Sequence, residues 1–246
     1  MKTNKNAVLL LPVLLLAIGI LCSFKVFKWE ERIKGNGMIK EEARPVTGAF
    51  KNIATSGVFK VIIEQGSAHS IRIEAEENLL PYLLADISGD ELELHTKKGY
   101  QVQNTKPITV YVTMKEVDLL SASGAGGFTS KGKLTSNRIQ LRFSGAADAN
   151  LDIQAQQLKV AVSGASNIKL KGSAIAADYG ISGAADIAAL DLSTDEVKIG
   201  ISGTGTVDVY AQKKLNVSIS GMGQVKYKGE PAITKAVAGM GKLMKI

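Results

Sequence analysis

Apolar and polar residues alternate along most of the second half of the chain. Before a recurring Ser-Gly pair the alternation reads Leu158-x-Val160-x-Val162, and after the pair it resumes, as in Ile168-x-Leu170. Period-two alternation is typical of a half-buried β-strand, whereas an amphipathic helix needs apolar residues at three- and four-residue spacing. The pattern therefore predicts a protein built from short strands.

The Ser-Gly pair, or a close variant of it, returns at a nearly constant interval of about 18–21 residues. A sandwich gives no reason for such a repeat, but a solenoid does, because each coil lies on its neighbour and identical positions stack into columns. We therefore predict an all-β fold, a right-handed parallel β-helix with one corner per Ser-Gly pair. The glycines predicted to form corners are Gly57, Gly124, Gly145, Gly164, Gly183, Gly203, Gly221 and Gly239.

Two physical roles are open to a corner glycine. A tight corner needs either a positive φ or close approach of stacked backbones, and glycine meets both needs at low cost. The neighbouring Ser can bond to its own turn or to the Ser one coil away. The alanines that follow the glycine, such as Ala146 and Ala165, are expected to fill a crowded corner that admits only a methyl group.

Residues 36–116 form a looser β layer than the repeat at 117–246. Ser56-Gly57 resembles the same corner in a more irregular setting. We expect this layer to cover one end of the stack, because an open strand edge recruits other chains. At the other end, Lys242 and Lys245 are expected to discourage edge pairing. Strands of the looser layer are predicted at 70–75, 83–87, 91–96 and 108–114.

The first 32 residues are typical of a targeting or anchoring segment. An uncharged, Leu-rich stretch at 7–24 is near the lower length limit for a membrane span. It is either a signal peptide cleaved after the small residues Ala17 and Gly19, or an uncleaved anchor. Lipidation of Cys22 is a third reading, disfavoured because no small residue directly precedes it. All of these readings predict export.

Few residues in the chain offer catalytic or metal-binding chemistry. Cys22 is the only cysteine, which excludes an internal disulfide and a cysteine-based metal site. His69 and His95 lie beside polar turn residues, without the spacing of metal ligands. Glu76 and Glu77 are adjacent, so on a strand they face opposite sides. We therefore predict no enzyme, no cofactor and no metal site.

Carboxylates near the corners are a further candidate site. Asp148 and Asp186 occupy matched positions and could bind calcium if stacked, but Asn, Thr and Gln stand at the other matched positions, as expected for residues that face water. Outward charges change sign between coils, as at Lys169 and Asp208, which favours ion pairs between neighbouring coils. A net charge of +7 with only 5% aromatic residues and no basic run does not indicate a nucleic-acid partner.

Several further motifs stand between residues 35 and 246. They are Gly35-Asn36-Gly37, Arg44-Pro45-Val46, Ser56-Gly57, the run from Glu77 to Tyr82, Thr96-Lys97-Lys98-Gly99 and Lys106-Pro107-Ile108. With the Ser-Gly series they resemble the putative auto-transporter adhesin, head GIN domain family. The resemblance implies a β-helix-type envelope domain of Gram-negative bacteria, and no catalytic residues accompany it. Ala147 and Ala185 depart from the family pattern, which has a second glycine there.

The sequence therefore predicts a segment at 1–32, as signal peptide or membrane anchor, followed by a head GIN-type adhesin domain at 36–246. We expect a non-catalytic cell-envelope protein, an adhesin or a structural or binding module. It would present a repetitive surface to an envelope polymer, a glycan or a protein, in the periplasm, on a membrane anchor or at the cell surface. Two alternatives stay open, a carbohydrate-active β-helix enzyme and a membrane-anchored sensory ectodomain.

Overall fold

The computed structural model describes residues 30–246, so nearly all of the predicted segment 1–32 lies outside the described residues. Within them, no helix is long and apolar enough to cross a membrane. One short 3₁₀ helix, Leu80–Tyr82, accompanies the strands. The strands are β1 Glu31–Lys34, β2 Ile39–Arg44, β3 Asn52–Ser56, β4 Phe59–Gln65, β5 Ser70–Glu76, β6 Leu83–Ser88, β7 Glu91–Thr96, β8 Tyr100–Gln103, β9 Ile108–Met114, β10 Leu119–Ala122, β11 Ala125–Phe143, β12 Ala146–Val162, β13 Ala165–Ile181, β14 Ala184–Ile201, β15 Thr204–Ile219, β16 Met222–Lys228, β17 Ala232–Val237 and β18 Met240–Lys245.

The long strands stack in parallel, and this confirms the predicted β-solenoid. In sheet order, β10, β11, β12, β13, β14, β15 and β16 follow one another as they do in the chain. Each of β11 to β15 is continuous over almost a whole coil and ends at the next Ser-Gly corner. The strands predicted in the looser layer are also confirmed, as β5, β6, β7 and β9.

The core is a thin column of side chains enclosed by the coils. In β13 the inward residues Ile168, Leu170, Tyr179 and Ile181 are all buried. Three of them, Ile168, Tyr179 and Ile181, each pair with an isoleucine of the next coil, so inward positions form columns along the stack. Burial of these columns supplies the main stabilisation of the fold, because the described coils have no other apolar layer between them.

Close approach of backbones explains the corner glycines. A Cβ built on Gly145, Gly164 or Gly183 would lie only 2.0–2.1 Å from the carbonyl oxygen of the corner glycine in the preceding coil. The same is true along the whole column from Gly124 to Gly239, within 2.0–2.2 Å. Among the eight corners only Gly57 has a positive φ, +154°. Glycine is therefore required because a side chain would force the stacked coils apart.

The hydroxyls of three corner serines, Ser123, Ser182 and Ser202, bond to the preceding coil. The Ser182 hydroxyl donates to the carbonyl of Val162 at 3.4 Å, and Ser202 does the same to Ile181. These acceptors are backbone oxygens rather than the serine of the adjacent coil. The serine therefore adds a side-chain tie between successive turns of backbone.

The expectation of a methyl-only position after the glycine is wrong. Ala146 and Ala165 are exposed, and the same column carries Met222 and Met240 in the last coils, 52% and 76% exposed. The side chains at this position leave the corner toward solvent, because the alternation places the residue after the glycine outside the coil. Alanine there reflects no steric limit.

The stack continues toward the N-terminus through residues 52–65. β3 pairs in parallel with β10, and β4 with β11. Beyond them β7 and β6 extend the sheet on the β3 side, while β9, β5 and β2 extend it on the β4 side. β7 and β9 thus cover the two halves of the first coil in parallel, and the antiparallel strands β6, β5 and β2 lie beyond them.

A buried carboxylate joins two loops of this N-terminal layer by hydrogen bonds. Glu76 is 1% exposed and accepts hydrogen bonds from the backbone of Gly37 at 2.7 Å, from the backbone and hydroxyl of Thr105 at 2.8 and 2.7 Å, and from the backbone of Lys106 at 3.3 Å. Burial alone would raise the pKa of Glu76. The hydrogen bonds outweigh burial and lower the pKa to about 2. Glu76 therefore joins two loops as an anion.

The last coil carries charge where the core would otherwise continue. Lys235 stands in the inward column of Tyr179, Ile199 and Val217, and Lys245 follows Tyr227 in another. Inward-pointing charge on an outer strand opposes the addition of a further strand. Of the two lysines predicted to have this role, Lys245 lies in an inward column, whereas Lys242 continues an outward one.

We predict opposite effects for two glycines of neighbouring coils. Gly183→Ala should lower the free energy of unfolding by about 1–3 kcal/mol, because its methyl group meets stacked backbone. Gly200→Ala should leave stability unchanged or slightly raised, because nothing lies within 4 Å of its Cβ position. Urea denaturation of both variants measures the difference. Equal losses would contradict the close-approach explanation.

Glu76 should make stability depend on pH in the acid range. Its pKa is lowered from 4.5 to about 2 by folding, so its contribution is complete above pH 4.5 and is lost as the pH falls toward 2. Glu76→Gln should cost about 1.5–3 kcal/mol at pH 7, with much less difference from wild type near pH 2. Denaturation curves at both pH values test this, with the exposed neighbour Glu77→Gln as control. A pH-independent difference would contradict it.

Removing the inward charges should allow the C-terminal ends of different molecules to associate. The double variant Lys235→Val with Lys245→Val should form larger, concentration-dependent assemblies in light scattering, since it completes two apolar columns beside an unpaired strand edge. Lys242→Val, in an outward column, should behave as wild type. The explanation fails if the control variant associates as strongly as the double variant.

Candidate binding face

The outward side chains form three faces that run along the stack. In β13 the post-corner face comprises residues 165–171, the middle face 173–176 and the pre-corner face 178–182. Gly172, with φ +109°, separates the first two, and a break in alternation between Ala174 and Ala177 separates the last two. The register carries the same three faces through β12, β13 and β14.

Charges on the post-corner face are paired between coils. Lys171 lies 3.6 Å from Asp152, and Lys226 lies 3.9 Å from Asp208. This confirms the ion pairs predicted from the alternating sign of outward residues. Exposed pairs of this kind contribute little stability, so their main effect is to neutralise the face.

Neutral polar groups dominate the middle face. Thr135, Gln154, Ser173 and Ser193 form one column in register. Gln212 donates from its amide to the Ser193 hydroxyl. The face is hydrophilic and offers hydroxyl and amide groups.

The pre-corner face is bare along its centre, in the sense that most residues there have a small side chain or none. Its central column reads Arg142, Ala161, Gly180, Gly200 and Ser218. Together with the neighbouring corner serines these residues line a shallow cleft of about 730 Å³. With strands about 4.8 Å apart, the five coils give the cleft a length of roughly 20 Å along the stack.

Packing does not require the two glycines of this column. A Cβ on Gly180 would have its nearest neighbour 3.9 Å away, and a Cβ on Gly200 would have none within 4 Å. Neither has a positive φ. A glycine inside a strand costs about 0.5–1 kcal/mol relative to alanine. The bare floor therefore has a stability cost that the fold itself does not explain.

The histidines considered as candidate ligands have separate surroundings. His95 bonds through Nε2 to Asp86 at 2.8 Å, whereas the His69 ring packs on Phe50 at 4.7 Å between centroids. Within residues 30–246, no group of three or more His, Cys, Asp or Glu side chains is placed to hold a metal ion.

The carboxylates considered for calcium stand in one column but not next to each other. Asn167 lies between Asp148 and Asp186, and both its backbone and its side-chain amide donate to Asp148. Two coils separate the carboxylates by about 10 Å. They do not form a common ligand set.

The predicted corner glycines all lie in a single column, where they allow the coils to stack. They are part of the scaffold and do not line the floor of the cleft. Gly180 and Gly200 were not predicted as site residues. A signal existed in the sequence, because each stands at an outward position between two bulky inward residues, as in Ile199-Gly200-Ile201.

The family model described as "putative auto-transporter adhesin, head GIN domain" matches residues 49–231, most of the chain. The chain belongs to this family. The matched span of the head GIN domain begins just before β3 and ends just after β16, so it contains the corner column from Gly57 to Gly221 and all five coils of the bare cleft. The family resemblance read from the motifs is thereby confirmed.

Solved structures share this fold. A crystal structure from Bacteroides fragilis, described as a putative adhesin, has 22% identity and a TM-score of 0.80 over 87% of this chain and 100% of that chain. One from Parabacteroides distasonis, described as a putative lipid binding protein, has 23% identity and a TM-score of 0.71 over 88% and 100%. A putative adhesin from Parabacteroides merdae has 23% identity and a TM-score of 0.65 over 88% and 99%. At such identities the likeness shows the fold. No curated protein matches the chain.

Proposed function

We propose that this head GIN domain protein is a non-catalytic adhesin of the cell envelope that holds an extended polymer along its pre-corner face. The observation that carries the proposal is the pair of glycines, Gly180 and Gly200, that keep the floor of the cleft bare although side chains would fit there. Export fits the apolar stretch at 7–24, and the family description supports an adhesive role.

The shape of the face suits an elongated ligand. The cleft crosses five coils and is open to solvent, so a linear molecule can lie along the stack without threading into a closed site. Each of the five coils presents a corner serine to the ligand. Repetition of weak contacts is how solenoid surfaces bind extended partners.

The charges on this face suit binding better than hydrolysis. A glycosidase needs two carboxyl groups facing one bond, with one of them protonated. In the pre-corner face Asp178 lies between Lys159 and Lys198 in register. Lysines rather than a second carboxyl group flank it in this column, and this supports a non-catalytic function over the enzyme alternative.

Filling the floor should abolish binding without unfolding the protein. The double variant Gly180→Gln with Gly200→Gln places two long, neutral side chains where space exists, so stability should change by less than about 1 kcal/mol. Binding to envelope polymers in an array of glycans and peptidoglycan fragments should fall at least about tenfold. Ala188→Gln, exposed on the post-corner face, is the matched control.

Two outcomes would contradict the proposal. If the wild-type protein binds none of the envelope polymers in the array, the adhesive function fails. If the double variant binds as tightly as wild type, the polymer lies on another face.

A further inference from the structure

We propose that the polymer held by the pre-corner face is an acidic polysaccharide. This inference rests on the function proposed above and specifies its ligand. It follows from the charges beside the bare floor, from how those charges are partnered and from the absence of other recognition chemistry on this face.

Cations outnumber anions along this face and its border with the middle face, to which Arg138 and Glu196 belong by register. Arg142 lines the bare cleft, and Arg138, Lys159 and Lys198 line the adjoining cleft toward the middle face. Two carboxylates, Asp178 and Glu196, lie among these four basic residues. Glu196 has a further cation, Lys214, opposite it in the next coil. The face therefore attracts negative charge.

Some lysines on the other faces are paired with carboxylates of neighbouring coils, although within residues 30–246 Lys169 and Lys228 are not. Lys171, Lys213 and Lys226 each lie within 4 Å of a carboxylate in a neighbouring coil. Within residues 30–246, none of the four cations beside the clefts has such a carboxylate. Their positive charge is therefore available to a ligand.

Neutral amides hold the two arginines in place. Arg138 donates to the Gln157 side chain at 2.9 and 3.1 Å, and Arg142 donates to Gln140 at 3.1 Å. These bonds orient the guanidinium groups without cancelling their charge. A guanidinium held in this way keeps further donors for a carboxylate or sulfate.

The spacing of the lysines sets the spacing expected of the anions. Lys159 and Lys198 stand in one column with Asp178 between them, two coils or about 10 Å apart. A linear polymer with acidic groups at that interval or closer can meet both lysines while lying along the stack.

Other classes of anionic partner fit the face less well. The strands beneath it are paired on both sides, so a peptide cannot add as a strand. The floor carries no exposed aromatic ring on which nucleic-acid bases could stack. The serine hydroxyls along the cleft, such as Ser163 and Ser182, suit the hydroxyl groups of sugars, and the bare floor lets flat sugar rings approach closely.

The first test compares two polymers with the same sugar backbone. Biolayer interferometry would measure binding of the protein to immobilised polygalacturonate and to its methyl-esterified, uncharged form. We expect at least about tenfold tighter binding to the acid form, and loss of that preference in about 0.5 M sodium chloride, where charges on the surface are screened.

The second test removes charge from one face at a time. Lys159→Gln with Lys198→Gln should weaken binding of polygalacturonate about tenfold, since each exposed charge contact contributes a factor of a few. Lys169→Gln with Lys226→Gln removes the same charge from the post-corner face and should have little effect. Equal losses in the two double variants would overturn the assignment to the pre-corner face.

The outcomes distinguish failure of the acidic-polysaccharide inference from failure of the adhesin proposal on which it rests. Equal binding of the acid and esterified polymers overturns the inference and leaves the adhesin proposal standing. Equal binding of poly-L-glutamate and polygalacturonate overturns the choice of a polysaccharide, since charge alone would then suffice. Absence of binding to every polymer, charged or neutral, overturns the adhesin proposal as well.

Discussion

Contact between stacked backbones at one corner governs the rest of this structure. A carbonyl oxygen lies about 2 Å from the Cβ position of every corner glycine from Gly124 to Gly239, so the coils keep the strand spacing only if these corners lack a side chain. That spacing puts inward residues such as Ile181 and Ile201 into continuous columns. It also puts outward residues into the three faces. Core and surface thus depend on the same column of glycines.

The two ends of the stack are closed by different means. At the N-terminal end, β7 and β9 cover the first coil, antiparallel strands lie beyond them, and the buried anion of Glu76 joins two loops of this layer. At the other end no covering layer lies over β17 and β18 within the described residues. Lysines in two inward columns interrupt the apolar core there. The middle coils need neither device, because each has a neighbour on both sides.

Much of this architecture could be predicted from the residues, because equivalent positions of successive coils carry similar residues at a nearly regular interval. Ser-Gly spacing located the corners, and alternation located strands such as Glu91–Thr96. The reason for glycine could not be predicted, since positive φ and close approach select the same residue. The inward position of Lys235 could not be predicted, because the coils differ in length and the sequence alone does not show which residues of neighbouring coils are paired. The error at Ala146 arose because a small residue at a corner looks the same whether it faces the core or solvent.

The register of the coils also places equivalent outward residues at a fixed spacing along the molecule. Each coil adds about 4.8 Å to every face without altering the others. A relative with one coil more would offer one further set of contacts to a polymer of the same chemistry, and avidity would rise with each set. Because outward columns carry no core packing, their chemistry can change while the scaffold stays the same. Length and specificity are thereby separate variables, which evolution can adjust independently.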